Sequence, residues 1–559
     1  MELIVITSII PLYFAVNLHK LRLMQEKDYS KTRVFVDRRT YQPQLTESIV
    51  IVILLLEILR LSAITNLQDL TFTVFQAGLA LSALTVEVNL LRKRIFKRPR
   101  PTLRIALIAI IPLALILLLC LLLPSLAITI LSLAIILNMF VVVFGNEAAK
   151  PIVYTGHRKK FQQASAYLAS VPDLKLIGIT GSYGKSTTKG FLNTILTEKY
   201  KIISTPGSIN TDIGLATSII SQFKNTDIAA RKGMKFAVLE MDAYVVGTIA
   251  RITKYFPLDL ALITSINEQH LDTFGGEITN TVEGNYQIIE GLKENGDRIA
   301  VFNHDNMYTR EMASRYRQAG GKEIYLYGKN TDNSDLDVSI IDSTEEITPG
   351  KSILSLKLRF SKRLGGEEIT LKLPVVGRFN AYNFAAAALI ARLYDVSIEE
   401  ITAAASKVRI KEKTQSIKFL DNGIEIIDDT FNGNPDGIRA NIETLAKRNS
   451  VLPAKNIVIF TGLFDLGSSS EQIHAEISKK LVHKADLVIV TNPIFAAQML
   501  RDLDEKERKK LVSITDPEEI IGQLKEYLPR GAEVSDQVNL RIMMMNSIPS
   551  AVYKYINNL

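Results

Sequence analysis

The sequence predicts a membrane α-helical N-terminal domain followed by two α/β domains, on three observations. Residues 105–146 carry no charged side chain, and residues 174–190 run from an apolar strand through a glycine-rich turn into a helix. From there on, short apolar runs alternate with helical segments, the pattern of a buried parallel sheet. A chain of 559 residues has room for roughly three or four domains.

In the first domain, Pro124-Ser125 divides the uncharged run into two stretches of about twenty residues, each long enough to cross a hydrocarbon core. The run reads as a tight helical hairpin. Earlier candidate spans at 48–65 and 69–91 carry isolated charges (Glu57, Arg60, Glu87), and residues 2–17 form a shorter one. That last segment lacks a basic leader and a small-residue cleavage site, which favours a retained span over a signal peptide. Glu57 and Arg60 are one helical turn apart and neutralise each other if helical.

The segment 92–104 holds Arg92, Lys93, Arg94, Lys97, Arg98, Arg100 and Arg104 with no acid, and 18–45 is also basic, so both are expected on the cytoplasmic side. Five spans over residues 1–146, with the N-terminus outside, satisfy both loops and deliver residue 150 onward to the cytoplasm. The expected location is therefore the cell membrane, multi-pass. The net charge of +8 owes much to these clusters, which read as anchors against anionic membrane lipid and not as a nucleic-acid surface. Cys120 is the only cysteine, which excludes intrachain disulfides and a cysteine-ligated zinc site. Residues 147–173 mix Lys, Arg and Gln with apolar residues and read as an amphipathic helical linker along the membrane surface.

Leu174–Thr180 is predicted as a strand and 185–198 as a helix. Between them Thr180-Gly181-Ser182-Tyr183-Gly184-Lys185-Ser186-Thr187 has the form of a triphosphate cradle. Its backbone N–H groups would face phosphates, Lys185 would reach the terminal ones, and the Ser186 hydroxyl would sit on Mg²⁺. The general spacing wants glycine at 179, where this chain has Ile179, so the loop is a variant. The predicted topology puts it on the side of the membrane where ATP is.

Further strands are expected at Lys201–Ser204, Phe236–Met241 and Leu260–Ser265. Polar residues gather at their C-terminal ends, where an open α/β sheet places its ligands. Glu240 falls at one tip and His270 follows the next; with Ser186 they make a candidate oxygen-rich Mg²⁺ site. Residues 335–375 hold alternating strands (Ser352–Phe360, Glu368–Leu373), read as a small antiparallel appendage on the central sheet. Beyond about 407 a second α/β unit begins, with strands at Glu425–Asp428, Asn456–Thr461 and Leu487–Thr491.

Six ordered segments resemble one family. They are Gly-Ile-Thr-Gly-Ser-Tyr-Gly-Lys-Ser-Thr-Thr (178–188), Thr-Pro-Gly-Ser-Ile-Asn-Thr-Asp-Ile-Gly (205–214), Leu-Glu-Met-Asp-Ala (239–243), Asn-Glu-Gln-His-Leu-Asp-Thr-Phe-Gly (267–275), Gly-Arg-Phe-Asn-Ala-Tyr-Asn (377–383) and Asp-Asp-Thr-Phe-Asn-Gly-Asn-Pro (428–435). Together they resemble the Mur ligases, and within that family the type that adds D-alanyl-D-alanine, chiefly through Asn-x-Asn-Pro. The resemblance covers about 174–500. It implies a P-loop central Mur ligase domain (174–406) and a C-terminal Rossmann-like α/β domain (407–559) that closes over the nucleotide.

What the resemblance implies is an ATP-dependent amide ligase of cell-wall precursor synthesis, with ATP and Mg²⁺ as cofactors. An acceptor carboxylate becomes an acyl phosphate, and an amino acid or dipeptide amine then displaces phosphate. Lys185, Glu240 and His270 are implied as catalytic, and Ser186, Glu240 and His270 as metal-holding. Gly181, Ser182, Gly184, Lys185, Ser186, Thr187, Asn380, Asn383 and Asp429 are implied around the nucleotide, with the two asparagines near adenine and Asp429 near ribose. Asn210, Thr211, Asn432 and Asn434 are implied on the substrate side. Gly462, Asp465, Gly467 and His474 lie in a resembling loop of the last domain, with His474 expected on an exposed helix, where structural use and function both stay open.

Several departures stand beside this. Many Mur ligases carry a carbamylated lysine about fifteen residues after the His of the fourth motif, where this chain has Glu283-Gly284-Asn285-Tyr286; either Glu283 or Asn285 supplies the oxygen, or a second metal site is weakened. Lys413-Thr414 replaces the usual Gly-Arg pair, and the usual Lys-Gly-Ser is missing around 531–545. Membrane spans occupy the place of the uridine-diphosphate-binding domain, which suggests an acceptor held at the membrane, such as a lipid-linked precursor; spans that merely localise the enzyme are the alternative. A poly-γ-glutamate or capsule-type ligase and a catalytically weakened nucleotide-binding membrane scaffold remain as alternatives.

Overall fold

Residues 21, 24, 25, 100–123, 130, 133, 134, 137–227, 231, 233–269, 271–329, 336–431, 433–528 and 535–559 are described by the computed structural model of the chain. It divides into two units, Met1–Lys159 and Lys160–Leu559. The candidate spans at 2–17, 48–65 and 69–91 lie outside the described residues.

In the first unit, α1 (Leu103–Leu122) is apolar at every position but Arg104, and the Thr102 side chain caps it by accepting from the Ile105 N–H. Among the described residues it is the one helix long and apolar enough to cross a bilayer. Ile110, Leu115, Leu118, Leu119, Leu121 and Leu122 on it are exposed. Residues 138–146 of the uncharged run begin α2 (Asn138–Ala169), which continues through the 147–173 segment as far as Ala169, with Pro151 inside it. The two helices approach closely where Gly145 meets Ile108; a Cβ at 145 would stand 2.3 Å from the Ile108 carbonyl oxygen. Beside that contact Arg104 Nη2 donates to Asn146 Oδ1 at 2.8 Å.

The second unit starts with the end of α2, where Phe161, Ala164 and Leu168 are buried in its core and Phe161 stacks on Tyr255 at 4.9 Å. The chain then alternates through β1 (Lys175–Thr180), α3 (Lys185–Leu196), β2 (Lys201–Ser204), α4 (Asp212–Asn225), β3 (Met234–Glu240), α5 (Thr248–Thr253), β4 (Leu260–Ile263), α6 (Ile278–Glu290), β5 (Ile299–Asn303), α7 (Met307–Gln318) and β6 (Ile324–Gly328). These strands lie parallel in the order β2-β3-β1-β4-β5-β6. With β1, β4 and β5 covered on both faces, their sequences read as nearly unbroken apolar runs, as central parallel strands do. The chain leaves β1 toward β3 and returns to β4 on its other side, so the loop after β1 sits at the topological switch point.

The expected antiparallel appendage contains one strand more than its sequence suggested: β7 (Val338–Thr348) precedes β8 (Lys351–Phe360) and β9 (Glu368–Leu373). β7 joins β6 in parallel, and β7, β8 and β9 together extend the sheet to nine strands. α8 (Asn380–Leu393) is buried on nearly every side because its middle is alanine, which lets it lie against α3 in the core. α9 (Ile398–Ala405) opens with a capping box of Ser397 and Glu400.

The last part of the unit is a six-stranded sheet, ordered β10-β11-β15-β12-β13-β14. Its elements are β10 (Ser416–Phe419), β11 (Asn422–Asp429), α10 (Pro435–Val451), β12 (Lys455–Phe460), α11 (Ser470–Val482), β13 (Leu487–Val490), α12 (Pro493–Leu500), α13 (Glu505–Arg508), β14 (Leu511–Ser513), α14 (Pro517–Tyr527), β15 (Ser535–Met545) and α15 (Ser550–Asn557). β10 is antiparallel and the rest parallel.

One joint ties the two sheets together. Glu425 on β11, Arg448 on α10 and Arg541 on β15 are all fully buried. Arg448 Nε and Arg541 Nε donate to Glu425 Oε2 at 3.0 and 2.6 Å. Arg448 also donates to Ser352 Oγ at 2.6 Å and to the Thr348 carbonyl at 2.9 Å, and the Gly350 N–H reaches Glu425 Oε1 at 3.1 Å. The tip of the β7–β8 hairpin is thereby plugged into the C-terminal sheet.

Candidate functional site

The loop after β1 depends on two glycines in the left-handed half of backbone space, Gly181 (φ +130°) and Gly184 (φ +87°). A Cβ at 181 would lie 2.3 Å from Thr264 Oγ1, and one at 184 would lie 2.4 Å from Asn383 Oδ1. The segment after β4 supports the loop from beneath. The Ser182 N–H donates to the Ser265 carbonyl at 2.6 Å, Thr264 Oγ1 donates to the Tyr183 carbonyl at 2.6 Å, and the Asn267 N–H donates to Ser182 Oγ at 3.1 Å. The result is a preformed cradle whose helix α3 starts at Lys185 with its first N–H groups facing the loop, an arrangement suited to polyphosphate.

Lys185 is buried; its Nζ bonds to the Gly181 carbonyl and lies 3.2 Å from Asp242 Oδ1. Ser186 Oγ donates to Glu240 Oε1 at 2.8 Å and stands 3.0 Å from Ser208 Oγ. Asn210 Nδ2 lies 3.3 Å from Glu240 Oε1 and 3.4 Å from Asp242 Oδ2, while the Asp242 N–H donates to the Asn210 carbonyl at 3.2 Å. Thus Lys185, Ser186, Glu240 and Asn210, four of the residues singled out by sequence, converge. Thr187 follows on the first turn of α3, half-buried, and Thr211 is the exposed N-cap of α4. His270 and Asn432 lie outside the described residues.

Glu240 Oε2 is buried and accepts no aligned hydrogen bond, with the Lys189 ammonium 3.0 Å away as its ion-pair partner. A hydroxyl beside a buried carboxylate, Ser186 Oγ 2.8 Å from Glu240 Oε1, makes a hard oxygen pair that fits Mg²⁺. Among the described residues no group of three or more His, Cys, Asp or Glu side chains is placed to hold a metal ion. Of the two candidates for a further oxygen, Glu283 is spent on the surface, paired with Arg315 Nη1 at 2.6 Å. Asn285 is buried, and its Oδ1 accepts from Thr180 Oγ1 at 2.8 Å directly below the loop.

Asn380 and Asn383 form one buried string. Asn380 Nδ2 donates to the Val376 carbonyl at 2.6 Å, Asn383 Nδ2 donates to Asn380 Oδ1 at 2.9 Å, and Asn383 Oδ1 accepts from Thr188 Oγ1 at 3.2 Å. They brace the start of α3. Asn434 is the N-cap of α10, accepting from the Gly437 N–H at 2.9 Å ahead of Pro435. That helix start is seated on the loop: Asn267 Nδ2 donates to Asp436 Oδ2 at 2.7 Å, and Gly437 leaves room for the Tyr183 ring. Burial, with Asp429 and Asp436 nearby, pushes the Tyr183 phenol well up.

Asp429 ends β11, and both of its oxygens are engaged, Oδ2 by Asn441 Nδ2 at 2.6 Å and Oδ1 by the Gln415 N–H at 3.1 Å. Burial raises its carboxyl to about 6, with Asp428 adding to the shift and the two N–H donors opposing it. A folded-state value above the unfolded one means the folded state holds its proton longer. This group's contribution is therefore fully present below about 3.9 and declines as pH rises toward 6. Asp429→Asn is expected to flatten that decline, read as the pH dependence of the thermal midpoint between pH 4 and pH 7.

His474 corrects the expectation of an exposed helix position. It is on α11 but fully buried, its Nε2 accepting from the Leu463 N–H at 2.9 Å and its ring stacked on Phe495 at 4.5 Å. It shapes the 461–467 loop, whose Asp465 carbonyl accepts from the Asp272 N–H at 3.2 Å. Three residues escaped the sequence reading: Lys189, Ser208 and Lys411. Lys411, in the connection to the last sheet, donates to Ser208 Oγ at 3.1 Å, and burial lowers its amine. The i, i+4 spacing of Lys185 and Lys189 is the one signal that would have marked Lys189.

Two family models match the chain: the Mur ligase middle domain over residues 179–391, and the Mur ligase, glutamate ligase domain over 414–534. The chain is 26% identical over 371 residues to the UDP-N-acetylmuramoyl-tripeptide–D-alanyl-D-alanine ligase of Bacillus subtilis, covering 66% of this chain and 74% of that protein. It is 24% identical to the protein of that name from Escherichia coli, covering 58% and 65%. Against the one from Mycobacterium tuberculosis the figures are 24% identity and 49% of each chain. Among solved structures, MurF from Acinetobacter baumannii superposes with a TM-score of 0.58 at 22% identity, covering 72% of this chain and 79% of that one. MurF ligase from Thermotoga maritima in complex with ADP gives 0.55 at 23%, covering 72% and 82%. These structural likenesses establish the fold.

Proposed function

The chain belongs to the Mur ligase family of ATP-dependent ligases, which use ATP and Mg²⁺, and we propose that it joins D-alanyl-D-alanine to the peptide of a cell-wall precursor. The named relatives support the choice of donor, and the observation that carries the ligase chemistry is the convergence of Lys185, Ser186 and Glu240 with Asn210, beneath a C-terminal domain seated on the same loop through Asp436 and Gly437. A phosphate cradle and a second, polar loop meet at one carboxylate, as a reaction between a nucleotide and another substrate requires.

In the proposed reaction an acceptor carboxylate oxygen attacks the γ-phosphorus of ATP and ADP leaves. The donor amine then attacks the acyl carbon, losing a proton as phosphate departs. Bringing two anions together is the principal barrier, so preorganised positive charge and N–H groups matter most. Lys185 and the loop amides supply both. Lys185 must exchange Asp242 for phosphate, and Asn210, which touches Asp242 and Glu240, is placed to register the second substrate. Mg²⁺, held by Ser186 and Glu240, would neutralise phosphate charge.

The proposal extends to location, a membrane with the catalytic domains on its cytoplasmic side. Support comes from the apolar, outward-facing surface of α1 and the basic segment before it. Retention of the full chain in membranes after an alkaline carbonate wash is expected, and release into the supernatant would contradict it. Such a location favours a lipid-linked acceptor over a nucleotide-linked one.

The test is phosphate release by the full chain in detergent, given ATP, Mg²⁺ and muramyl tripeptide in lipid-linked or uridine-diphosphate-linked form. Release that requires both acceptor and D-alanyl-D-alanine supports the reading. Release with glutamate in place of the dipeptide would favour a poly-γ-glutamate-type ligase. Nucleotide binding without turnover under any pairing would favour a scaffold.

A further inference from the structure

Lys189 lies four residues beyond Lys185 on α3, one helical turn away, and only 3% of it is exposed. A lysine buried to this degree needs partners for its whole ammonium group. It has them: Nζ donates to the Gly207 carbonyl at 2.7 Å, the Thr205 carbonyl at 3.0 Å and Thr205 Oγ1 at 3.3 Å, and stands 3.0 Å from Glu240 Oε2. The Thr205-Pro206-Gly207 turn leads within three residues to Asn210, whose amide touches Glu240 from the other side. One ammonium therefore holds the turn that carries Asn210 and neutralises the carboxylate toward which Asn210 points.

We propose that Lys189 is a positioning residue that couples the 205–211 loop to the phosphate end of the site. It acts through Asn210 and Glu240 without touching nucleotide. Lys185 and Lys189 divide the work along one face of α3, the first serving the cradle and Asp242, the second serving Glu240 and the neighbouring loop. Sequence placed both lysines on one helix but gave no reason for the second; its four oxygen partners supply it. In describing the loop as the acceptor's side, the inference rests on the function proposed above.

The test uses the full chain with Lys189→Met, which keeps the unbranched apolar stem of the side chain and removes its charged end. Because Glu240 then stays buried without a counter-charge, Lys189→Met/Glu240→Gln serves as a second, electrically neutral variant. Hydrogen–deuterium exchange is expected to rise in both variants over residues 203–212 while 175–184 keeps its protection. Affinity for muramyl tripeptide is expected to fall by about tenfold or more in Lys189→Met, on the scale of one lost charge-assisted hydrogen bond, with ADP affinity changed far less. Equal losses for both ligands, or unchanged exchange over 203–212 in both variants, would overturn the coupling. Should the parent chain bind no muramyl tripeptide, the proposed substrate fails, and the exchange result alone then decides the role of Lys189.

Discussion

Alanine at position 185 is expected to reduce ATP-dependent turnover by about 10²–10³-fold, the scale set by losing one preorganised charge-stabilising donor. The Lys185 ammonium is the charged group attached to the cradle itself, held between the Gly181 carbonyl and Asp242. Its loss strips the buried Asp242 of its counter-charge, but the Asn210 amide stays 3.4 Å from Asp242 Oδ2 and the loop's backbone bonds to Thr264 and Ser265 remain, so the fold should persist with some loss of stability. Comparing kcat/KM with the thermal midpoint for Lys185→Ala checks both halves: turnover collapses while the midpoint moves by only a few degrees. A parallel collapse of stability would assign the lysine a structural role instead.

The largest expected effect on stability is at the buried triad. Arg448→Met leaves the Glu425 carboxylate with Arg541 as its one charged partner among the described residues and frees the Thr348 carbonyl and Ser352 Oγ of the hairpin tip. Breaking a buried ion pair from one side costs about 3–5 kcal/mol. Replacing Glu425, Arg448 and Arg541 together by apolar residues of similar size should cost much less, because no unpaired charge remains. Calorimetric unfolding of the single and triple variants distinguishes these outcomes. Acid adds a second check. Burial alone would raise the Glu425 carboxyl, but the two guanidiniums outweigh it and hold the group below the usual range. A depressed value means stability is present above the unfolded pKa of about 4.3 and lost as pH falls through the folded one. The triple variant should lose that acid sensitivity.

How much of this was legible in the sequence differs by interaction range. The cradle, α3 and the parallel strands around them were readable because apolar runs, glycine turns and helix starts are local signals, with boundaries shifted by only a residue or two at β1, β3 and β4. β15 was not read, since its sequence begins Ser-Asp-Gln and its place between β11 and β12 is fixed only by long-range pairing. Glu425, Arg448 and Arg541 look like ordinary solvated charges until the hairpin tip is brought to them. His474 likewise appears exposed on a helix pattern that cannot show the Leu463 N–H above its ring.

In the site, residue types were legible and their partners were not. Glu240 and Ser186 follow from position in the sequence, while Lys189, the lysine that completes their surroundings, carries no local signal beyond its place on the same helix. Asn434 was assigned to the substrate side from its motif, and the structure gives its side chain a capping duty that positions α10 over the cradle. Asn380 and Asn383 were assigned to adenine, and they brace α3 through Val376 and Thr188.

The most direct test of the central claim follows oxygen. With the acceptor carboxylate labelled with ¹⁸O, the full chain, ATP, Mg²⁺ and D-alanyl-D-alanine should release phosphate carrying one labelled oxygen for each amide formed, because the carboxylate oxygen leaves with the phosphoryl group. Unlabelled phosphate released at the same rate, with no amide product, would mean that the site hydrolyses ATP without activating a carboxylate and would contradict its assignment as a ligase.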